Sequence, residues 1–277
     1  MAVLLALAAA LFYGAADFCG GVATKRTTAV AVVVVSQLIG SLVLAAALPF
    51  VPGRFTAEVA WWGLLGGFCA AVVVTALYAA LAVGRMGVVS PITAVLGASV
   101  PVLAGLALGE RPAPLAGAGI ALAAVAIVLF TLEPQTGRFS LAEPGVRLAL
   151  LSGLALGALY TILGRAPSGG GLGLLASIRV SSVALLAGYA LARKQSLRPA
   201  RGGLPAIAAA GVLDMSANLF YVLAAQRGLL AIVAVLSSLY PAATVFLARL
   251  VLRERLNAFQ WCGVACACCG VALIAGT

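Results

Sequence analysis

The sequence predicts an all-α integral membrane protein of ten transmembrane helices, arranged as two inverted five-helix repeats. Three observations carry this reading. Of 277 residues, 64% are hydrophobic and 9% charged, whereas a soluble domain carries about 25% charged residues to keep its surface wet. The apolar residues fall into ten runs, and a bilayer-spanning helix needs about 20 of them. The two halves of the chain also repeat one another.

The runs are 2–23, 29–49, 59–83, 88–108, 113–131, 146–165, 171–192, 203–225, 229–252 and 257–276, each ended by charge, Pro or Gly. The first has no basic residues before it and no small-residue cleavage site, so it reads as a spanning helix rather than a signal peptide. Ten spans leave no room for a soluble domain. Two connections are longer and more polar, 133–145 and 193–203. The first lies at the midpoint and divides the chain into a repeat at 1–132, a linker at 133–145 and a repeat at 146–277.

The internal match extends through most of each half. ITAVLGASVP (92–101) pairs with IVAVLSSLYP (232–241), and LYAALAVGR (77–85) with FYVLAAQR (220–227), allowing one residue of slip. LALGERP (106–112) pairs with LVLRERL (250–256), and LALAAALFYGAADF (5–18) with LALLSGLALGALYT (148–161), which sets Gly14 over Gly157. Pro101 precedes Glu110 by nine residues and Pro241 precedes Glu254 by thirteen. The difference is about one helical turn, so the fourth helix should be a turn shorter than the ninth at that end. Five spans per repeat is an odd number. The second copy therefore enters the membrane with the opposite orientation, a plan common among secondary transporters with their site at the repeat interface.

The net charge is +10, with basic residues scattered singly between apolar runs. That pattern suits helix ends facing lipid headgroups and excludes a nucleic-acid surface. No histidine is present, which removes the commonest general base and metal ligand. Cys262, Cys266, Cys268 and Cys269 cluster in the last run; without cationic neighbours they read as small buried hydrophobes rather than a metal site. We expect no cofactor.

The segments SPITAVLGASVP with GERP (109–112) and AIVAVLSSLYP with RERL (253–256), together with the glycine-rich FYGAADFCGG (12–21), resemble the EamA-type family of the drug/metabolite transporter superfamily. Arg253 stands where the family usually has Gly before the second Glu. The resemblance implies a basket of helices around a central cavity and export or import of amino acids, other metabolites or drugs without ATP. It places the chain in the plasma membrane as a multi-pass protein, as a monomer or homodimer, with a small-molecule substrate, lipids around it and protons as a candidate coupling ion. A lipid-carrier flippase of the same superfamily is the alternative. An intramembrane enzyme is disfavoured because no nucleophile–base pair is evident. The resemblance puts the N-terminus in the cytoplasm, while four basic residues in the even-numbered connections against twelve on the other side favour an outside N-terminus.

A charge at the bilayer centre costs about 2.5–3.5 kcal/mol on insertion scales, so intramembrane polar residues are the site candidates. Asp17, among Gly14, Gly20 and Gly21, binds a cation or a proton, or else pairs with Lys25 or Arg26. Asp214 and Asn218, four apart on one helical face, line a cavity or lock the bundle by a hydrogen bond. Arg179, which aligns with Gln37 in the first half, holds a substrate carboxylate or forms an ion pair with Asp214 or Asp17. Tyr78 and Tyr221, repeat equivalents, join Tyr13, Tyr160 and Tyr240 as candidates for an amphipathic lining; Trp61 and Trp62 read as interfacial belt. Pro101 and Pro241 are helix breaks or hinges, with Gly14 and Gly157 beside them. Glu110–Arg111 and Glu254–Arg255 read as helix-end pairs, and Gly63/Gly67, Gly105/Gly109 and Gly153/Gly157 as close helix contacts.

Overall fold

The computed structural model describes residues 1–24, 27–49, 53–83, 86–109, 111, 113–129, 143–166, 170–200, 202–252 and 258–275. Lys25, Arg26, Glu110, Glu254, Arg255 and most of the 133–145 linker lie outside them. Among the described residues the fold is entirely helical. The helices are α1 (Ala2–Thr24), α2 (Ala29–Ala47), α3 (Ala57–Val83), α4 (Met86–Ala107), α5 (Pro114–Leu129), α6 (Pro144–Arg165), α7 (Gly171–Ala192), α8 (Leu204–Ala225), α9 (Leu230–Ser237), α10 (Tyr240–Leu252) and α11 (Ala258–Ala275). Six of them, α1, α2, α3, α6, α7 and α8, are long and apolar enough to cross a membrane; Ile92–Ala107 in α4 and Gly117–Ala126 in α5 are shorter apolar stretches, and a third, Leu230–Thr244, takes in α9 and the start of α10.

One expectation is corrected. The ninth apolar run is two helices, not one, and the chain turns at Ser238–Leu239. Pro241 has no N–H to give to the carbonyl four residues back, and the chain tightens there, with the Leu239 amide bonding Leu236 O at 3.2 Å and the Ala242 amide bonding Leu239 O at 2.9 Å. The equivalent Pro101 is buried inside α4, which continues past it. The length difference between the two is present: α4 ends six residues beyond Pro101, whereas α10 runs eleven residues beyond Pro241.

Packing follows the internal repeat. The most extensive contacts join α1 to α8 and, equivalently, α6 to α3; α3 to α7 and α8 to α2; α4 to α6 and α9–α10 to α1; and α5 to α11. Each half packs mainly on the other. Glycine makes these crossings possible, because where lipid replaces water, close backbone approach is what holds helices together. A Cβ on Gly14 would lie 2.6 Å from Ala243 Cβ and 2.9 Å from Thr244 N of α10, and one on Gly157 would lie 3.0 Å from Leu96 O of α4. The repeat-equivalent glycines thus serve equivalent crossings. Gly63 and Gly67 face Ser177 and Ser181 of α7, and Gly153 faces Leu96 and Thr93. Gly109 does not belong with them: it sits in open space at φ +91° and ends α4 as a left-handed cap.

The distribution of side chains is that of a protein dissolved in lipid. Leu4, Leu11, Leu38, Leu42, Phe68 and Trp61 are exposed, while small residues such as Ala6, Ala9, Ala31, Ala80 and Ala217 fill the interior. Cys262 and Cys269 are exposed and Cys266 is half-buried, so the buried-hydrophobe reading fails for the first two: the buried Gly263 and Gly270 hold the inner positions of α11, with Gly270 against Gly119 and Ala123 of α5.

Candidate functional site

A cavity of about 100 Å³ lies between the halves, lined by residues of α1, α2, α3, α6, α7, α8 and α10. A single water needs about 10–15 Å³ of such space, so the cavity holds several waters or a small solute. Its polar residues are Asp17, Gln37, Arg179, Asp214 and Asn218, with Ser36 and Ser182; its aromatic wall is Tyr13, Tyr78, Tyr160 and Tyr240; its apolar wall includes Val73, Leu77, Leu156, Leu159 and Ile178.

One chain of bonds ties three helices together at this cavity. Arg179 Nη2 of α7 donates to Asp214 Oδ2 of α8 at 2.7 Å. One turn on, Asn218 Nδ2 donates to the Asp214 backbone carbonyl at 2.8 Å and approaches Asp214 Oδ1 at 3.3 Å. Asn218 Oδ1 in turn accepts the Tyr13 hydroxyl of α1 at 3.0 Å. The arginine side chain is only 9% exposed, whereas that of Asp214 is 37% exposed, so the carboxylate is the end of the pair that reaches the open space. The Arg179 guanidinium lies beside α2, its Nη2 3.6 Å from where a Cβ on Gly40 would stand.

Three cavity groups contrast with this network. Asp17 is partly buried and, among the described residues, has neither an ion pair nor a hydrogen bond. Gln37 Oε1 and Ser182 Oγ are buried without a partner among the described residues. Buried polar atoms are normally satisfied, so these two point to a solute or water in the cavity.

The aromatic wall is built in layers. Tyr13 and Tyr160 rings lie 6.0 Å apart, and Tyr160 stacks on Tyr221 at 4.5 Å and 15°. Tyr221 is fully buried behind Tyr160, and its hydroxyl donates to Tyr160 O at 3.1 Å. It therefore supports the wall without lining it. Its repeat equivalent Tyr78 does line the cavity, with its hydroxyl end seated over Gly20 of α1. Gly20→Ala would set a Cβ 2.9 Å from Tyr78 Cζ. The ring is buried and must move toward the cavity, so we expect a stability loss of about 1–3 kcal/mol and weaker solute binding, measured by thermal melting with and without ligand.

Six of the seven candidate ligands thus converge: Asp17, Gln37, Tyr78, Arg179, Asp214 and Asn218. Pro241 stands next to the lining residue Tyr240, Gly14 and Gly157 form helix crossings beside the cavity rather than its surface, and Pro101 is buried in α4 outside the lining. Tyr160, Ser36 and Ser182 complete the lining. The alignment of 5–18 with 148–161 foreshadows Tyr160, since it puts this residue at the position of Asp17.

A model of the EamA-like transporter family matches residues 1–132 and 143–276. The chain belongs to the EamA-like transporter family. The two matched stretches correspond to the two halves whose helices cross-pack around the cavity. A solved structure described only as "Crystal structure of protein" is similar over 98% of this chain and 95% of that one, with a TM-score of 0.76 at 18% identity; at that identity the likeness speaks for the helical fold alone. No curated protein matches the sequence.

Proposed function

We propose that this EamA-like protein is a secondary transporter of the plasma membrane, moving a small metabolite, amino acid or drug by alternating access and without ATP. Ten spans, with the α9–α10 pair counted as one broken span, make two oppositely inserted five-helix repeats around the cavity. The observation that carries the reading is the convergence of costly intramembrane groups from α1, α2, α7 and α8 on one cavity between the halves. Helices broken near mid-membrane and sites at a repeat interface are how such carriers are built, and Tyr240 enters the cavity directly at the α9–α10 break. Catalysis is a poorer account: Ser36 Oγ donates to its own helix at Val33 O (3.0 Å), and Ser182 Oγ has no base beside it among the described residues.

The test is counterflow in proteoliposomes with labelled amines, amino acids, nucleobases and sugars. At least one solute should exchange above empty vesicles without ATP, and Asp214→Asn should abolish that exchange. Absence of any exchange would remove the carrier reading, and an Asp214→Asn protein as active as the parent would remove Asp214 from the site. Proton coupling predicts that an imposed proton gradient drives accumulation; flux indifferent to the gradient excludes it.

A further inference from the structure

We infer that the cavity selects small organic monocations, an ammonium group carried on an aromatic or branched aliphatic body without a carboxylate. The inference rests on reading the cavity as the substrate site, and it comes from the balance of charge and of hydrogen-bonding groups within it.

Arg179 is the only cation lining the cavity among the described residues, and it is committed. Its guanidinium is 2.7 Å from Asp214, and Asn218 and Tyr13 brace that carboxylate in turn. Breaking such a pair leaves an uncompensated buried charge, a loss of several kcal/mol. An anionic solute would have to displace Asp214 from Arg179 and would then face two carboxylates. Asp17 is the opposite case. It lines the same cavity and has no partner among the described residues. The position matched to it in the second repeat is Tyr160, so the repeat supplies no counter-charge there. With the pair neutral, the cavity is left with one open carboxylate.

An ammonium group supplies the missing charge and donates up to three hydrogen bonds. Asp17 accepts one, and the unpartnered Gln37 Oε1 is a second acceptor on the cavity wall. The body of the solute meets Tyr78, Tyr160 and Tyr240, whose ring faces also attract a cation, and the apolar surface of Val73, Leu77, Leu156 and Ile178. A zwitterion is the weaker ligand, because its carboxylate would need the guanidinium that Asp214 occupies. A neutral solute makes no charge contact with Asp17.

Three probes share one body and differ in charge: phenethylamine, phenylalanine and 3-phenylpropanoate. Their binding to the purified full-length protein in nanodiscs is measured by calorimetry. Phenethylamine should bind at least about 30-fold tighter than phenylalanine, the ratio expected for one buried charge contact, and 3-phenylpropanoate should not bind. Asp17→Asn should lose phenethylamine binding by about the same factor, while Asp17→Glu should retain part of it, and both should melt near the parent temperature without ligand. Equal or tighter binding of phenylalanine, no saturable binding of phenethylamine, or an Asp17→Asn protein that binds as the parent does would each overturn the inference. Because binding is measured without transport, this failure is distinct from that of the carrier reading, which shows as no flux of any solute.

Discussion

Arg179→Met is expected to destabilise the fold by about 3 kcal/mol, near the lower end of the 3–5 kcal/mol range for stripping one partner from a buried ion pair. The lower end applies because Asp214 keeps 37% of its side chain open to the cavity while Arg179 keeps 9%. The damage does not stop at the pair. Asp214 anchors Asn218, and Asn218 accepts the Tyr13 hydroxyl, so the bonds joining α7, α8 and α1 loosen together. The double variant Arg179→Met/Asp214→Leu removes both charges and should recover most of the lost stability, since a buried pair replaced by apolar residues is often neutral or stabilising. It should not recover transport, because the cavity has lost the Asp214 carboxylate. Thermal melting of the four proteins of the cycle checks this. Purely additive losses, with the double variant the least stable, would mean that the 2.7 Å contact carries no coupling energy.

This cluster is partly legible in the sequence. Asp214 and Asn218 share a helical face by spacing alone, and an intramembrane charge is too costly to keep without a cavity or a partner. What spacing does not decide is which partner. The sequence leaves both Asp17 and Asp214 open to Arg179, and only the tertiary fold, in which α7 and α8 both pack on α2, brings Asp214 to it. The tyrosines show the same boundary. Tyr78 and Tyr221 occupy matched positions, yet one lines the cavity and the other is sealed behind Tyr160. The difference comes from what faces each ring: Gly20 gives Tyr78 a seat on α1, whereas the Tyr160 carbonyl on α6 captures the Tyr221 hydroxyl. Neither neighbour is near in sequence.

The prolines mark a second limit. Pro101 and Pro241 match in register, and each deletes one backbone hydrogen bond. Only the second interrupts its helix, and the residue just before it, Tyr240, enters the cavity, while the matched Val100 packs on Gly157. A proline fixes where a helix is weak. Whether the weakness becomes a break depends on the neighbours on both sides, which periodicity does not encode.

A tight glycine crossing outside those the sequence marks leads to the second large expected effect. Gly211→Val should cost about 3 kcal/mol or more, the upper range for overpacking, because the obstacle is backbone. A Cβ at Gly211 would sit against Ser36 O, 2.9 Å from Ser36 C and 3.1 Å from its Cα. A side chain can rotate away, but this contact yields only if α2 moves bodily. From the other side of the same crossing, a Cβ at Gly40 would lie 2.8 Å from Gly211 O. Displacing α2 carries Ser36 and Gln37 out of the cavity wall and draws Gly40 from under the Arg179 guanidinium. Stability and solute binding should therefore fall together. Gly188→Ala is the matched control: it lies in α7 with nothing within 4 Å of a Cβ, and it should melt at or slightly above the parent temperature, since Ala in an unstrained helix lowers the entropy of the unfolded chain. Melting curves of the two variants, with binding measured on each, separate the alternatives. A Gly211→Val protein as stable as Gly188→Ala would show that the α2–α8 crossing has slack, and the cavity wall on that side would then not be set by glycine.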